Sequence, residues 1–295
     1  MWILFAFGSA LFAGITAILA KIGIKRTDSN VATALRTIVV LIFSWLLVFI
    51  DGSYKMIGDL TLTNLLFLIL SGLCTGASWL CYFKALQLGD VNKVTPVDKS
   101  STILTMILAF IFLGEKITAF MLIGMVCIAI GTVLMLQKRE LSDEEKEKQE
   151  ENEQKHRYAW FFFALGSAFF ASLTAILGKV GIQGVDSNLG TAIRTIVVLV
   201  MAWMIVGLQN KTEQVKEIDA KSWIFIILSG VSTGLSWLCY YRALQDGYAS
   251  VVVPIDKLSI VFTVAFSRIF LNEKLSKKAA VGLGLIVAGT LVLLL

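Results

Sequence analysis

The sequence predicts an all-α membrane protein with ten transmembrane helices, arranged as two inverted-topology five-helix repeats. Three observations carry that prediction. Apolar runs recur from one end of the chain to the other, the chain repeats itself once without a gap, and the lysine and arginine bias reverses between the two copies. The 295 residues are 57% hydrophobic, with a mean hydropathy of +0.81. Charged residues make up 16%, well below the roughly 25% of soluble domains. Net charge is +5, but the basic residues gather at span ends and in one linker, so no continuous patch offers itself to nucleic acid.

A helix needs about 20 apolar residues to cross a bilayer. On that rule the spans fall near residues 2–24, 30–50, 62–86, 91–113, 117–137, 158–182, 188–208, 221–244, 249–271 and 277–295. The first has no basic leader and no small-residue cleavage site, which predicts a retained span rather than a signal peptide. Between the fifth and sixth, ELSDEEKEKQEENEQKHR reads as a solvated linker occupying 138–157, polar and charged enough to stay unpacked. His156, the one histidine, belongs to it. Cys74, Cys81, Cys127 and Cys239 fall in apolar segments without CxxC spacing and read as small packing residues.

The repeats are 1–137 and 158–295. SALFAGITAILAKIG aligns with SAFFASLTAILGKVG, TALRTIVVL with TAIRTIVVL, LSGLCTGASWLCYFKALQLG with LSGVSTGLSWLCYYRALQDG, and IFLGEK with IFLNEK. Shared hydrophobicity does not produce such identity; the sequence records a duplication. Five spans per half is an odd number, so the second copy must enter the membrane upside down. The charges agree. In the first half Lys21, Lys25, Arg26, Lys84 and Lys93 crowd the turns after spans one and three, leaving Lys55 and Lys116 opposite. In the second half those turns keep Lys179 and Arg242, while Lys211, Lys216, Lys221, Lys274, Lys277 and Lys278 load the other side. Lys138, Arg139, Lys146, Lys148, Lys155 and Arg157 add the linker to the heavier side. By the positive-inside rule the linker is cytoplasmic and both termini lie outside.

The polar residues that interrupt this apolar chain are also paired. VNKVTPVDKSSTILTMILAFIFL (91–113) is matched by ASVVVPIDKLSIVFTVAFSRIFL (249–271), so each half places a proline, an aspartate and a lysine inside a span. Pro96 and Pro254 are the only prolines. A helix broken near its start by proline, then an acid and a base, exposes polar groups at a cavity. Adjacent residues point about 100° apart on a helix, so Asp98 and Lys99, or Asp256 and Lys257, are not expected to pair neatly. The alternative is that the aspartates cap their helices. An intramembrane charge costs about 2.5–3.5 kcal/mol on insertion scales, and four of them argue for use.

Two tandem five-span units, each with an SWLCY segment, a P-(V/I)-D-K turn and an LxEK span end, resemble the EamA repeat of the drug/metabolite transporter superfamily. The resemblance covers everything but the linker. It implies a ten-helix inverted-repeat carrier for small metabolites that works by alternating access. In that fold the first, third and fourth helices of each half line the cavity and the fifth packs outside. Family members are usually drawn with cytoplasmic termini, the reverse of the charge count here.

Candidate gating or coupling residues are Asp98, Asp256, Pro96, Pro254, Arg36 and Arg194. The arginines sit in the second and seventh spans, where Asp98 and Asp256 are their natural partners within each repeat. They would form a carboxylate clamp, or a charge released on aspartate protonation; the alternative is snorkelling. Candidate substrate-binding residues are Trp79, Tyr82, Asp98, Lys99, Trp237, Tyr240, Asp256 and Lys257. Trp and Tyr three apart share a helix face, with Gly76 and Gly234 clearing space beside them, which makes a pocket wall able to hold a cation or stack an apolar group. Lys21, Lys179, Lys84 and Arg242 read as snorkelling side chains, and Glu115–Lys116 and Glu273–Lys274 as span ends. Arg268 faces Phe110 in the alignment and carries no assigned role. GSALFAG and GSAFFAS read as close-packing surfaces.

The expected function is therefore secondary transport of a small metabolite, amino acids and related zwitterions first, then organic cations and sugars. Proton coupling through the aspartates is part of the expectation, since burial raises a carboxyl pKa and neighbouring cations lower it. A lipid flippase on the same fold is the alternative. A membrane transferase is remote, because the sequence has no HExxH, DxxD or Ser–His set, and a passive channel suits charged, symmetric turns less well. No enzyme activity, cofactor or metal is expected. The partners are the substrate, the bilayer and protons, in a monomer, with a dimer as the alternative. The expected location is a bacterial cytoplasmic (inner) membrane.

Overall fold

The computed structural model describes residues 1–23, 27–88, 91–135, 158–270 and 275–295. The expected linker at 138–157, Lys25, Arg26 and the Glu273–Lys274 span end lie outside the described residues, as do the side chains of Lys21, Lys93 and Pro96. Regular structure among the described residues is helical. In chain order the helices are α1 (Trp2–Gly23), α2 (Ser29–Asp51), α3 (Leu62–Leu88), α4 (Val91–Lys99), α5 (Ser101–Leu113), α6 (Ala119–Met135), α7 (Ala159–Gly181), α8 (Ser187–Leu208), α9 (Ala220–Asp246), α10 (Ala249–Lys257), α11 (Ser259–Phe270) and α12 (Lys277–Val292). Short 3-10 turns at Ser53–Asp59 and Thr212–Glu217 follow α2 and α8.

Seven described segments are long and apolar enough to cross a membrane, and Ala119–Met135 is a shorter apolar helix. The count falls below ten for local reasons. The expected fourth span, read as α4 and α5, is not among the seven, whereas the ninth, read as α10 and α11, is; α6 and α12 have 17 and 16 residues. The division is one turn later than the prolines. Each break is a tightening to i→i+3 bonding: the Ser100 amide donates to the Val97 carbonyl at 3.2 Å, and the Leu258 amide to the Ile255 carbonyl at 2.9 Å. At the first break the Ser100 hydroxyl also takes the Val97 carbonyl, at 2.6 Å, competing with the regular ladder.

The chain forms two compact units, Met1–Leu73 with Leu177–Lys274 and Cys74–Ile176 with Leu275–Leu295. Each draws on both repeats. In the first unit, α1 runs antiparallel to α9, with Ser232 donating to the Phe12 carbonyl at 2.8 Å and Ser236 to the Ser9 carbonyl at 3.1 Å. There α2 runs antiparallel to α8. The Asn30 amide donates to Gln209 at 2.7 Å at one end, and the Asn188 amide to Asp51 at 2.6 Å at the other. Asp28 and Asp186 cap these two helices, each accepting from two backbone amides. Lys211 closes on Asp28 at 2.6 Å.

In the second unit α6 and α12 touch backbone to backbone. A Cβ on Gly131 would sit 2.6 Å from the Gly282 carbonyl, and one on Gly124 would sit 2.7 Å from that of Gly289. With the glycines turned inward, Ile123, Val126, Ile130 and Val133 on α6 are exposed. An apolar face left outside in this way suits lipid, not water.

Candidate functional site

The same small constellation is built once in each unit. In the second unit, Asp98 lies next to the end of α4 and accepts a hydrogen bond at 2.6 Å from Ser167 on α7. Ser78 on α3 donates to the Ser167 carbonyl at 3.1 Å, and its hydroxyl lies 3.3 Å from that of Ser167. In the first unit Asp256, next to the end of α10, accepts at 2.6 Å from Ser9 on α1, while Ser236 on α9 donates to the Ser9 carbonyl at 3.1 Å with the hydroxyls 3.3 Å apart. An O–H···O distance of 2.6 Å falls in the range of charge-assisted bonds to an ionised carboxylate.

Neither aspartate caps a helix, since each is the penultimate residue of its own. The serines are sealed in; Ser9 and Ser167 have no exposed surface. The aspartates are nearly so, at 16% and 17% exposure, while the lysines beside them reach outward at 53% and 45%. Each lysine comes within ion-pair range of its neighbour, Lys99 to Asp98 at 3.6 Å and Lys257 to Asp256 at 3.8 Å. A four-carbon stem bends back across the 100° offset, and the long distances mark a loose pair.

Asp256 is met by Ser9 and Lys257. Arg194 on α8, 3% exposed, donates from Nε to Ser71 Oγ at 2.9 Å. Its guanidinium lies 5.3 Å from the Trp237 ring and 5.0 Å from the Tyr241 ring, within cation–π range. Arg36 is half-buried in the first unit. Tyr240 and Tyr241 meet edge to face at 5.3 Å. Tyr82 packs around Ala85, Val94 and Ala164 with Val97 and Trp160, and its hydroxyl bonds to Thr95. Trp79 is half-buried on α3 and Pro254 fully buried inside α10; Pro96 falls within α4. Among the described residues, no group of three or more His, Cys, Asp or Glu side chains could hold a metal.

Matches to the EamA-like transporter family cover residues 1–137 and 158–295. The chain belongs to the EamA-like transporter family. An uncharacterized transporter encoded in the cobO 3′ region of a Sinorhizobium species is 45% identical to this EamA-like protein over 135 residues, 46% of this chain and 96% of that one. That relative is thus about the length of one repeat. An uncharacterized protein of Methanocaldococcus jannaschii is 37% identical over 75 residues, 25% of this chain and 55% of that protein. A solved structure described only as a crystal structure of protein is 16% identical, with a TM-score of 0.78 over 100% of this chain and 98% of the other; it shares the fold. The family and the apolar helices make this chain an integral membrane transporter.

The serines of the constellation went unread in the sequence, where GSALFAG, GSAFFAS and SWLCY stand out as packing and aromatic segments. One signal was available. Ser9 and Ser167, and Ser78 and Ser236, occupy aligned positions of the repeat, at the same offset as Asp98 and Asp256.

Proposed function

We propose that this EamA-like protein is a secondary transporter that moves a small metabolite, an amino acid or related zwitterion, by alternating access. Its ten membrane helices would form two inverted repeats, 1–137 and 158–295, joined by a solvated linker at 138–157 on the cytoplasmic side of a bacterial inner membrane. The observation that carries the reading is the duplicated serine–aspartate pair, with a 2.6 Å bond in each unit. In both pairs the serine comes from one repeat and the aspartate from the other, so any rearrangement between repeats acts on a carboxylate. The antiparallel packing of repeat-equivalent helices, α2 with α8 and α6 with α12, supports the inversion.

Protonation would break the charge-assisted character of the serine bond and free the adjacent lysine, coupling proton binding to a change of state. Asp98 and Asp256 are the coupling groups in this reading, with Lys99 and Lys257 as the competing internal cations. Trp79, Tyr82, Trp237 and Tyr240 supply substrate surface, and Pro96, Pro254, Arg36 and Arg194 belong to the moving or gating parts. The protein would work as a monomer. Counterflow in proteoliposomes, with and without a pH gradient, against a panel of amino acids, amines and sugars tests this. Substrate-dependent uptake that loses its pH drive in Asp98→Asn or Asp256→Asn is the expected result. Retained pH drive in both variants removes the aspartates from coupling, and silence across the panel from folded protein moves the reading to lipid substrates.

A further inference from the structure

We infer that Arg194, oriented by Ser71 and Tyr241, is the residue that recognises an anionic group on the substrate, a carboxylate, and that its repeat counterpart Arg36 has no such role. The inference rests on the transporter reading above. It starts from a correlated difference between the halves. The alignment offset, 256 − 98 = 158, pairs Arg194 with Arg36, Ser71 with Ser229, Trp237 with Trp79, Tyr241 with Phe83 and Gly178 with Ala20. Three of these positions keep their residue. The two that differ touch each other.

A Cβ on Gly178 would lie 2.6 Å from the Tyr241 ring, 3.1 Å from its hydroxyl and 3.2 Å from Ser71 Oγ. The phenol therefore has its seat because residue 178 has no side chain. From that seat the Tyr241 hydroxyl bonds to Ser71, and Ser71 accepts from Arg194 Nε at 2.9 Å. The Trp237 and Tyr241 rings at 5.3 and 5.0 Å flank the guanidinium. The first half, with Phe83 and Ala20, lacks the hydroxyl that would complete this chain.

A cation fixed through Nε presents its fork in one set plane, the geometry that fits a planar carboxylate and that an ammonium does not reproduce. Sealing a permanent charge inside a membrane span is expensive and marks function. Asp256 and Arg194 lie in the same unit and carry opposite charges. A ligand with an ammonium for the carboxylate and a carboxylate for the guanidinium matches that polarity, whereas an amine satisfies only half of it.

The test uses three probes of one skeleton in proteoliposome counterflow: L-leucine, isoamylamine, which lacks the carboxylate, and 4-methylpentanoate, which lacks the ammonium. Arg194→Gln should weaken the two carboxylate probes about tenfold or more and the amine less than about twofold, as expected when a polar recognition partner is removed. Arg194→Lys should recover part of the loss. Gly178→Ala/Tyr241→Phe, which restores the first-half pair, should weaken the carboxylate probes selectively even if Arg194→Gln does not fold. Arg36→Gln should scale all transported probes by one factor. Equal losses for amine and carboxylate in Arg194→Gln and in the double variant would make the arginine structural and overturn the inference. Transport of isoamylamine alone by the unaltered protein would also overturn it and leave the transporter reading standing. No transport of any of the three overturns it as well, and the wider panel then decides whether the transporter reading survives.

Discussion

Two glycines on one helix should respond to the same substitution with opposite signs. Gly282 and Gly284 both lie in α12, but a Cβ on Gly282 would sit 2.6 Å from the Gly131 carbonyl and 2.8 Å from the Met135 amide, while one on Gly284 would meet nothing within 4 Å. Ordinary contact begins near 3.4 Å, so Gly282→Ala must open the seam by 3.4 − 2.6, or about 0.8 Å. The neighbours are backbone atoms and cannot rotate away. A gap of that size forfeits a quarter to a half of each contact along the seam, and overpacking of this kind costs about 1–3 kcal/mol. Both substitutions gain the same helix propensity, about 1 kcal/mol. The difference between them therefore isolates the clash. Thermal unfolding in detergent should place Gly282→Ala about 5 °C below Gly284→Ala, with Gly284→Ala at or above the parent. Adding Gly131→Ala to Gly282→Ala should cost less than the sum of the two, because both open one gap. Equal midpoints for Gly282→Ala and Gly284→Ala would refute the backbone contact between α6 and α12.

The Asp28 cap gives a pH prediction. Burial works to raise the Asp28 carboxyl, but hydrogen bonds from Lys211 and the Asn30 and Val31 amides, with the Lys211 charge, hold it below its ordinary value. A depressed folded pKa stabilises above the unfolded value, near 3.8, and is lost as pH falls through the folded one. Lys211→Gln should therefore lower stability at pH 7, by about 0.5 kcal/mol for a partly exposed pair, with a loss that shrinks as pH falls below the unfolded value. Asp28→Ala, which also removes the cap, should cost about 1–2 kcal/mol; Asp28→Asn should retain most of the capping. Ser9→Ala and Ser167→Ala should each alter the pH dependence of transport while leaving fold and expression intact, read by counterflow and thermal unfolding together; unchanged profiles in both would detach the serines from the coupling groups.

The helical class and the repeat were legible because both are local signals: apolar runs of span length, and an ungapped alignment. The serine partners of the aspartates were not, and the reason is topological. A reading within one repeat looks for partners on that repeat's own helices. The α1–α9 and α3–α7 contacts instead cross between repeats, so Asp256 meets Ser9 and Asp98 meets Ser167. Only the recurrence of Ser9 and Ser167 at aligned positions hints at a hydroxyl contributed by the other repeat. The broken spans were half legible. Pro96 and Pro254 mark the region, but the tightening at Ser100 and Leu258 comes four residues later, in bonds set by the carbonyls of Val97 and Ile255.

Interleaving of this kind builds each site from both halves of the chain. Each aspartate is held by a serine of the opposite repeat, so neither half carries a complete Ser–Asp pair. Both Ser–Asp bonds measure 2.6 Å, while other positions of the two copies have diverged. Two of these are Tyr241 and Gly178, which meet beside Ser71 and align with Phe83 and Ala20. At the ends of the α2–α8 pair, Lys211 reaches Asp28, whereas the aligned position opposite Asp186 is Ser53. Charge reversal at one of them, Asp28→Lys with Lys211→Asp, should restore the midpoint lost by either change alone, apart from the lost cap. A double variant no more stable than the worse single one would show that the Asp28–Lys211 contact does not hold that end of the helix pair.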